Sequence, residues 1–174
     1  MKRIFALALA ALCLLSLAAC SNQSGAASSS STIATTIIPK PEDSFYFSYH
    51  NNDLIPGADF PVDWMPVANF VQETPDCVNG KLTKRYSYDE LAVIAYQSGN
   101  AEIIYQIILD PDKCANIPTA EGLRFGDSAA QVEELYGSNA EKDGDVWTYR
   151  KGNVLLILQF NEQDQVISIS YSQA

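Results

Sequence analysis

Four stretches between residues 126 and 171 decide the fold: GDSAAQVEELYG at 126–137, DVWTYR at 145–150, VLLILQF at 154–160 and VISISY at 166–171. Ser128 and Gln131 stand at capping-box spacing, so a helix starts there. Ala129, Val132, Leu135 and Tyr136 recur on one helical face, and Gly137 can end the helix in a left-handed conformation. Three strands follow. Asp145 to Arg150 carries Trp147 and Tyr149 on one side. Val154 to Phe160 is nearly all apolar, which suits a central strand covered on both faces. Val166 to Tyr171 sets Ile167, Ile169 and Tyr171 against Ser168 and Ser170, the alternation of a half-buried strand. Asn161 to Asp164 makes the turn between the last two.

The same template reads back onto the earlier half. Asp63 can cap a short helix through Phe70 and Val71, with Pro66 tolerated in its first turn. Lys84 to Tyr88, Leu91 to Tyr96 and Glu102 to Leu109 then read as strands, the last two joined by a turn at Ser98-Gly99-Asn100. Tyr86 and Tyr88 take the places of Trp147 and Tyr149. An extra strand, Phe45 to His50, precedes this unit. The expectation is an α+β protein of two tandem units, 44–118 and 119–174. Each is a short helix followed by a three-stranded antiparallel meander. A unit of ~55 residues is marginal alone, so the two would pack together. They could join edge to edge or stack, and the sequence leaves both open.

The chain upstream has a different character. Lys2 and Arg3 precede an apolar run from Ile4 to Leu17, too short for a transmembrane helix of ~20 residues. A charged start, a short apolar run and small residues before a cut site mark a secretory signal. Leu17-Ala18-Ala19-Cys20 resembles the lipobox of bacterial lipoproteins. That resemblance implies a signal peptide at 1–19 and a diacylglyceryl group, with palmitate-type chains, on Cys20. Two chains hold a protein firmly to a membrane, where one holds weakly. Residues 20–43, rich in Ser, Ala and Thr, read as the lipidated cysteine and a flexible linker. The expected location is the cell membrane, lipid-anchored on the extracellular face, or the outer membrane in a Gram-negative cell.

The full chain of 174 residues has a net charge of −10; residues 1–19 hold two basic residues and no acid, so their removal makes it −12. Such a surface repels nucleic acid. The chemistry for catalysis is thin. The one histidine, His50, ends a strand and reads as a surface or packing residue. No nucleophile elbow or phosphate loop is present. Zinc needs three or four N or S ligands, so no metal and no cofactor is expected. Glu141, Asp143 and Asp145 around Gly144, and Asp110 and Asp112 around Pro111, do not match a calcium loop and read as solvated turns. Catalytic residues are therefore expected to be none.

Two cysteines remain in the exported part, Cys77 and Cys114. Pairing is the default there and would stabilise the fold by roughly 3–4 kcal/mol. Yet Cys77 precedes the first strand of its meander and Cys114 follows the third. The alternative is a buried Cys77 with Cys114 exposed on a loop. Tyr86, Tyr88, Trp147 and Tyr149 read first as core or inter-unit packing residues, and as contact residues if they face a concave sheet surface.

Glu121-Gly122-Leu123-Arg124-Phe125-Gly126-Asp127-Ser128, with Val132, Tyr136-Gly137 and the paired strands, resembles the repeat of β-lactamase-inhibitor-like lipoproteins. The small lipoprotein of the outer-membrane barrel-assembly machinery has a similar unit. Closer is a family of uncharacterised lipoproteins from Gram-positive gut bacteria, similar across residues 45–174 through Glu73-Thr74-Pro75-Asp76-Cys77, Tyr86, Tyr88 and the Gly-Asp-Ser helix start. The stretch around Cys114 to Asn116 departs from that pattern. The resemblance implies a non-catalytic protein-binding or envelope-assembly module, with its partner and ligand-binding residues unknown. The alternative is a small-ligand capture or sensor lipoprotein using a groove between the units.

Overall fold

The computed structural model describes residues 41–75 and 82–174, apart from the Pro41 side chain. The signal peptide, Cys20, nearly all of the linker and Cys77 lie outside the described residues. After a 3-10 turn at Pro41–Asp43 the elements in chain order are β1 (Phe47–Tyr49), β2 (Asn52–Leu54), β3 (Phe70–Pro75), β4 (Leu82–Ser87), β5 (Leu91–Ser98) and β6 (Ala101–Leu109). Then come α1 (Ala129–Tyr136), β7 (Glu141–Asp143), β8 (Val146–Lys151), β9 (Val154–Phe160) and β10 (Val166–Gln173). β1 and β2 form a small hairpin. The other eight strands make one antiparallel sheet in the order β3-β4-β5-β6-β10-β9-β8-β7.

The expected α+β architecture of two helix-plus-meander units is therefore incorrect. The chain is mainly β, with one α-helix among the described residues, and the strands of both expected units join one eight-stranded sheet, with β1 and β2 in a separate two-stranded one. The helix expected from Asp63 does not form. Trp64 and Met65 donate to the Pro61 carbonyl, making one turn. Pro66 then disfavours helical backbone at Met65. Val67 is 94% exposed, so the segment has no apolar stripe to bury, and a helix that short does not persist without one. Phe70–Pro75 instead becomes edge strand β3. The helix at Ala129–Tyr136 does form. Ser128 and Gln131 cap each other reciprocally, Gly137 closes the C-terminus, and Val132 is buried.

Other differences follow from local chemistry. Phe45 to His50 is not one strand, because His50 and Asn51 both take positive φ. That is the backbone of a type I′ turn, which folds Asn52–Leu54 back on Phe47–Tyr49. Ile167 does not share a face with Ile169 and Tyr171. It is the extra residue of a bulge opposite the β9 pairs of Val166 and Ser168, and it stands 44% exposed while Ile169 and Tyr171 are buried. A bulge inserts one residue and so resets the alternation. Tyr105 is its counterpart on β6.

The halves join edge to edge. Gln106, Ile107 and Ile108 of β6 pair with Ser172, Tyr171 and Ser170 of β10. Directly paired residues in an antiparallel sheet share a face, so register alone assigns the sides. One row runs Tyr86, Val93, Ile107, Tyr171, Leu156, Tyr149 across β4, β5, β6, β10, β9 and β8. This side is covered by the β1–β2 hairpin, by Ile55 and Phe60, and by Leu123 and Val132, which share its core cluster. Tyr136 of α1 sits between Phe45 and Tyr149, with ring centroids 5.8 and 5.4 Å away. Tyr86, Tyr88 and Trp147 are partly buried against the same core.

Candidate functional site

The opposite side of the sheet carries different chemistry. One row there runs Ser87, Ala92, Ile108, Ser170, Ile157, Thr148, and the next runs Arg85, Ile94, Gln106, Ser172, Leu155, Arg150. Ile94, Ile108, Leu155 and Ile157 are only partly buried and lie outside the core cluster. The small Ala92, Ser170 and Ser172 lie low between them, 6–8% exposed. The middle of the sheet thus presents a shallow aliphatic band edged by two exposed arginines. VLLILQF is not covered on both faces, as its run of apolar residues suggested. Val154, Leu156, Leu158 and Phe160 enter the core, whereas Leu155 and Ile157 remain at the open side.

A polar cluster ties the covered side together near β3. Glu102 of β6 accepts from Lys84 Nζ and from Tyr86 Oη of β4, each at 2.5 Å, across the small Ala95 of the intervening strand. Burial works to raise the Glu102 carboxyl, but the hydrogen bonds from Lys84 and Tyr86 and the lysine charge outweigh it, so the carboxyl lies below the usual range. The bond to Glu102 raises Lys84. Burial, then the same carboxylate, raises Tyr86. Phe60 stacks on Tyr86 at 4.4 Å. Each group serves another's charge or hydrogen bond, which makes the cluster a clamp between β4 and β6.

The candidate residues read from the sequence do not converge. His50 is exposed in the β1–β2 turn, edge-on to Tyr49 at 4.2 Å. Cys114 is fully buried rather than loop-exposed; its thiol is free and donates to the Glu90 carbonyl at 3.1 Å. Burial pushes that thiol up to about 11. Asp110 turns its carboxylate inward to accept from the Asp112 and Lys113 amides. Glu141 and Asp143 belong to edge strand β7 rather than to a turn, and all three of its residues are exposed. Among the described residues no group of three or more His, Cys, Asp or Glu is placed to hold a metal ion, and no helix is long and apolar enough to cross a membrane.

No protein-family model, curated protein or solved structure matches the chain.

The site therefore rests on geometry alone. A broad sheet surface with an aliphatic band, low serines and flanking arginines can hold a macromolecular surface through area and a few charged contacts. Arg85 and Arg150 belong to no catalytic or metal-binding motif, so they do not stand out among the candidate residues of the sequence. A usable signal is present, since each adjoins a tyrosine packed in or against the core, Tyr86 or Tyr149, and strand alternation sends neighbours to opposite sides.

Proposed function

We propose that this chain is a lipid-anchored lipoprotein on the outer face of the cell membrane, where the open side of its sheet docks another envelope protein without catalysis. The carrying observation is the partly exposed band of Ile94, Ile108, Leu155 and Ile157 at the centre of an eight-stranded sheet. Contiguous apolar surface of this kind is a mark of interaction sites. The edge-to-edge joint at β6 and β10 supports protein docking over small-ligand capture. It makes the seam between the halves a hydrogen-bonded ladder rather than a groove between stacked units. The lipobox-like run ending at Cys20 and the Ser-rich segment after it support the tether.

The test is site-specific photocrosslinking in the cells that make the protein, with the photoreactive residue at Ile108 or Ile157 and a control at Gln163 in the β9–β10 turn. A single protein adduct at the two sheet positions, absent from the control, supports the reading. Adducts of small molecules alone, or identical patterns at all three positions, would sink it. Metabolic labelling with a palmitate analogue, lost in Cys20→Ala, tests the anchor separately.

A further inference from the structure

Arg85 on β4 and Arg150 on β8 share one row of the open side, with Ile94, Gln106, Ser172 and Leu155 between them and the uncharged Gln72 of edge strand β3 beyond Arg85. Both are exposed. Among the described residues neither enters an ion pair, whereas Lys84 is bound to Glu102 and Lys142 to Glu133. Five strand-to-strand steps of about 4.8 Å put the two Cα atoms about 24 Å apart. Neither this row nor the Ala92–Ile157 row beside it holds a carboxylate between β4 and β8; Glu141 stands beyond, on edge strand β7.

In a chain of net charge −10, that distribution is selective. Two cations left without acids, on the side with the exposed aliphatic band, complement a partner of the opposite sign. Arginine also presents a planar fork that meets a carboxylate with two parallel hydrogen bonds. A second copy fits poorly, because it would bring the same net charge and the same arginines to the contact. We propose, building on the docking role of this side, that its partner is an acidic protein segment laid across the strands. Its apolar side chains would cover Ile94 and Leu155, and its carboxylates, about 24 Å apart, would pair with Arg85 and Arg150. A helix of about 16 residues spans that distance, as does an extended segment of about seven.

The experiment pans a displayed library of random 16-residue peptides against the full chain in detergent micelles. Selected peptides are then titrated against Arg85→Glu, Arg150→Glu and Ile157→Gln, each checked for the parent's near-ultraviolet dichroism. Enriched peptides should combine apolar residues with separated acids and weaken about tenfold with each arginine change. Glu→Lys in the peptide should restore affinity for the matching variant. Peptides that lose affinity for Ile157→Gln but ignore both arginine changes overturn the acidic partner and leave the docking side standing. Peptides indifferent to all three variants overturn both. Concentration-dependent dimers that dissociate in Ile157→Gln assign the side to a second copy and overturn the proposal. A library that does not enrich also counts against it, and leaves the docking reading to the photocrosslinks.

Discussion

Leu155 and Leu156 are chain neighbours that face opposite sides of the sheet. Leu156 is fully buried in the row of Tyr171 and Tyr149, and Leu155 is partly exposed in the row of Arg85 and Arg150. Their substitutions should differ accordingly. Leu156→Ala removes a core side chain and should cost about 2–5 kcal/mol. Leu155→Ala should cost about 1 kcal/mol or less. Urea unfolding of both variants checks this, and equal losses would mean that the open side is covered in solution.

Tyr171 lies opposite Ile107 at the β6–β10 joint, and its hydroxyl is buried with no hydrogen-bond partner among the described residues. Thr119 is close enough to influence it, but the Thr119 hydroxyl pairs with Tyr136 at 2.8 Å and does not reach bonding geometry with Tyr171. Leaving a buried polar group unpaired costs about 1–3 kcal/mol. Tyr171→Phe should therefore hold or gain about 1 kcal/mol of stability in denaturant titration. A loss of similar size would reveal a partner, such as a buried water.

The Lys84–Glu102–Tyr86 clamp makes a pH-dependent contribution. The folded-state value of Glu102 is depressed, so its stabilisation is present above about pH 4.5 and fades as pH falls further. The folded-state value of Lys84 is raised, so its share is present below about pH 10.5 and fades as pH rises further. Glu102→Gln should cost about 1–2 kcal/mol at neutral pH, the worth of a partly shielded charged hydrogen bond. The gap from the parent should close towards pH 3. Melting temperatures recorded across pH supply the check.

Cys114 should be chemically silent in the folded protein. A thiol that is buried and pushed up to about 11 offers neither access nor thiolate at pH 8. The Cys114 peptide should escape alkylation under native conditions and react in denaturant without added reductant. A requirement for reductant would mean that it pairs with another cysteine, Cys77 being the expected one.

Gly152, in the turn between β8 and β9, has φ +57°, and a Cβ there would run into the Asp43 carbonyl oxygen. Gly152→Ala therefore adds left-handed strain to a backbone collision and should cost more than about 1–2 kcal/mol. It should also free Pro41–Asp43 from the turn, seen as faster proteolysis near residue 43. An unchanged cleavage rate would show that Asp43 is held by other contacts.

Local signals in the chain were sound wherever they were complete in themselves. Ser128, Gln131 and Gly137 carry the entire start and stop of α1, and Gly99-Asn100 and Asn161–Asp164 make the turns they suggest. Elsewhere a local signal is overridden, by its own neighbours or by its place in the sheet. Asp63 looked like a cap, but Pro66 and the exposed Val67 left nothing for a helix to bury. Ile167 looked like a core residue until the bulge displaced it.

The open side shows the limit most plainly. Alternation along β4 and β8 could have told that Arg85 and Tyr86, or Tyr149 and Arg150, point apart. It could not tell that the two arginines share one row, because that row crosses six strands whose pairing is set by contacts far apart in the chain. The sequence by itself determined β4, β5, β6, β8, β9 and β10 to within about two residues, the turns at Gly99-Asn100 and Asn161–Asp164, and the capped helix α1, since each depends on neighbours within a few positions. Only the tertiary structure decided that β6 pairs with β10, that one side of the sheet is covered and the other open, and that Arg85 and Arg150 face the same way. Those outcomes depend on register and on where the remaining apolar surface could be buried.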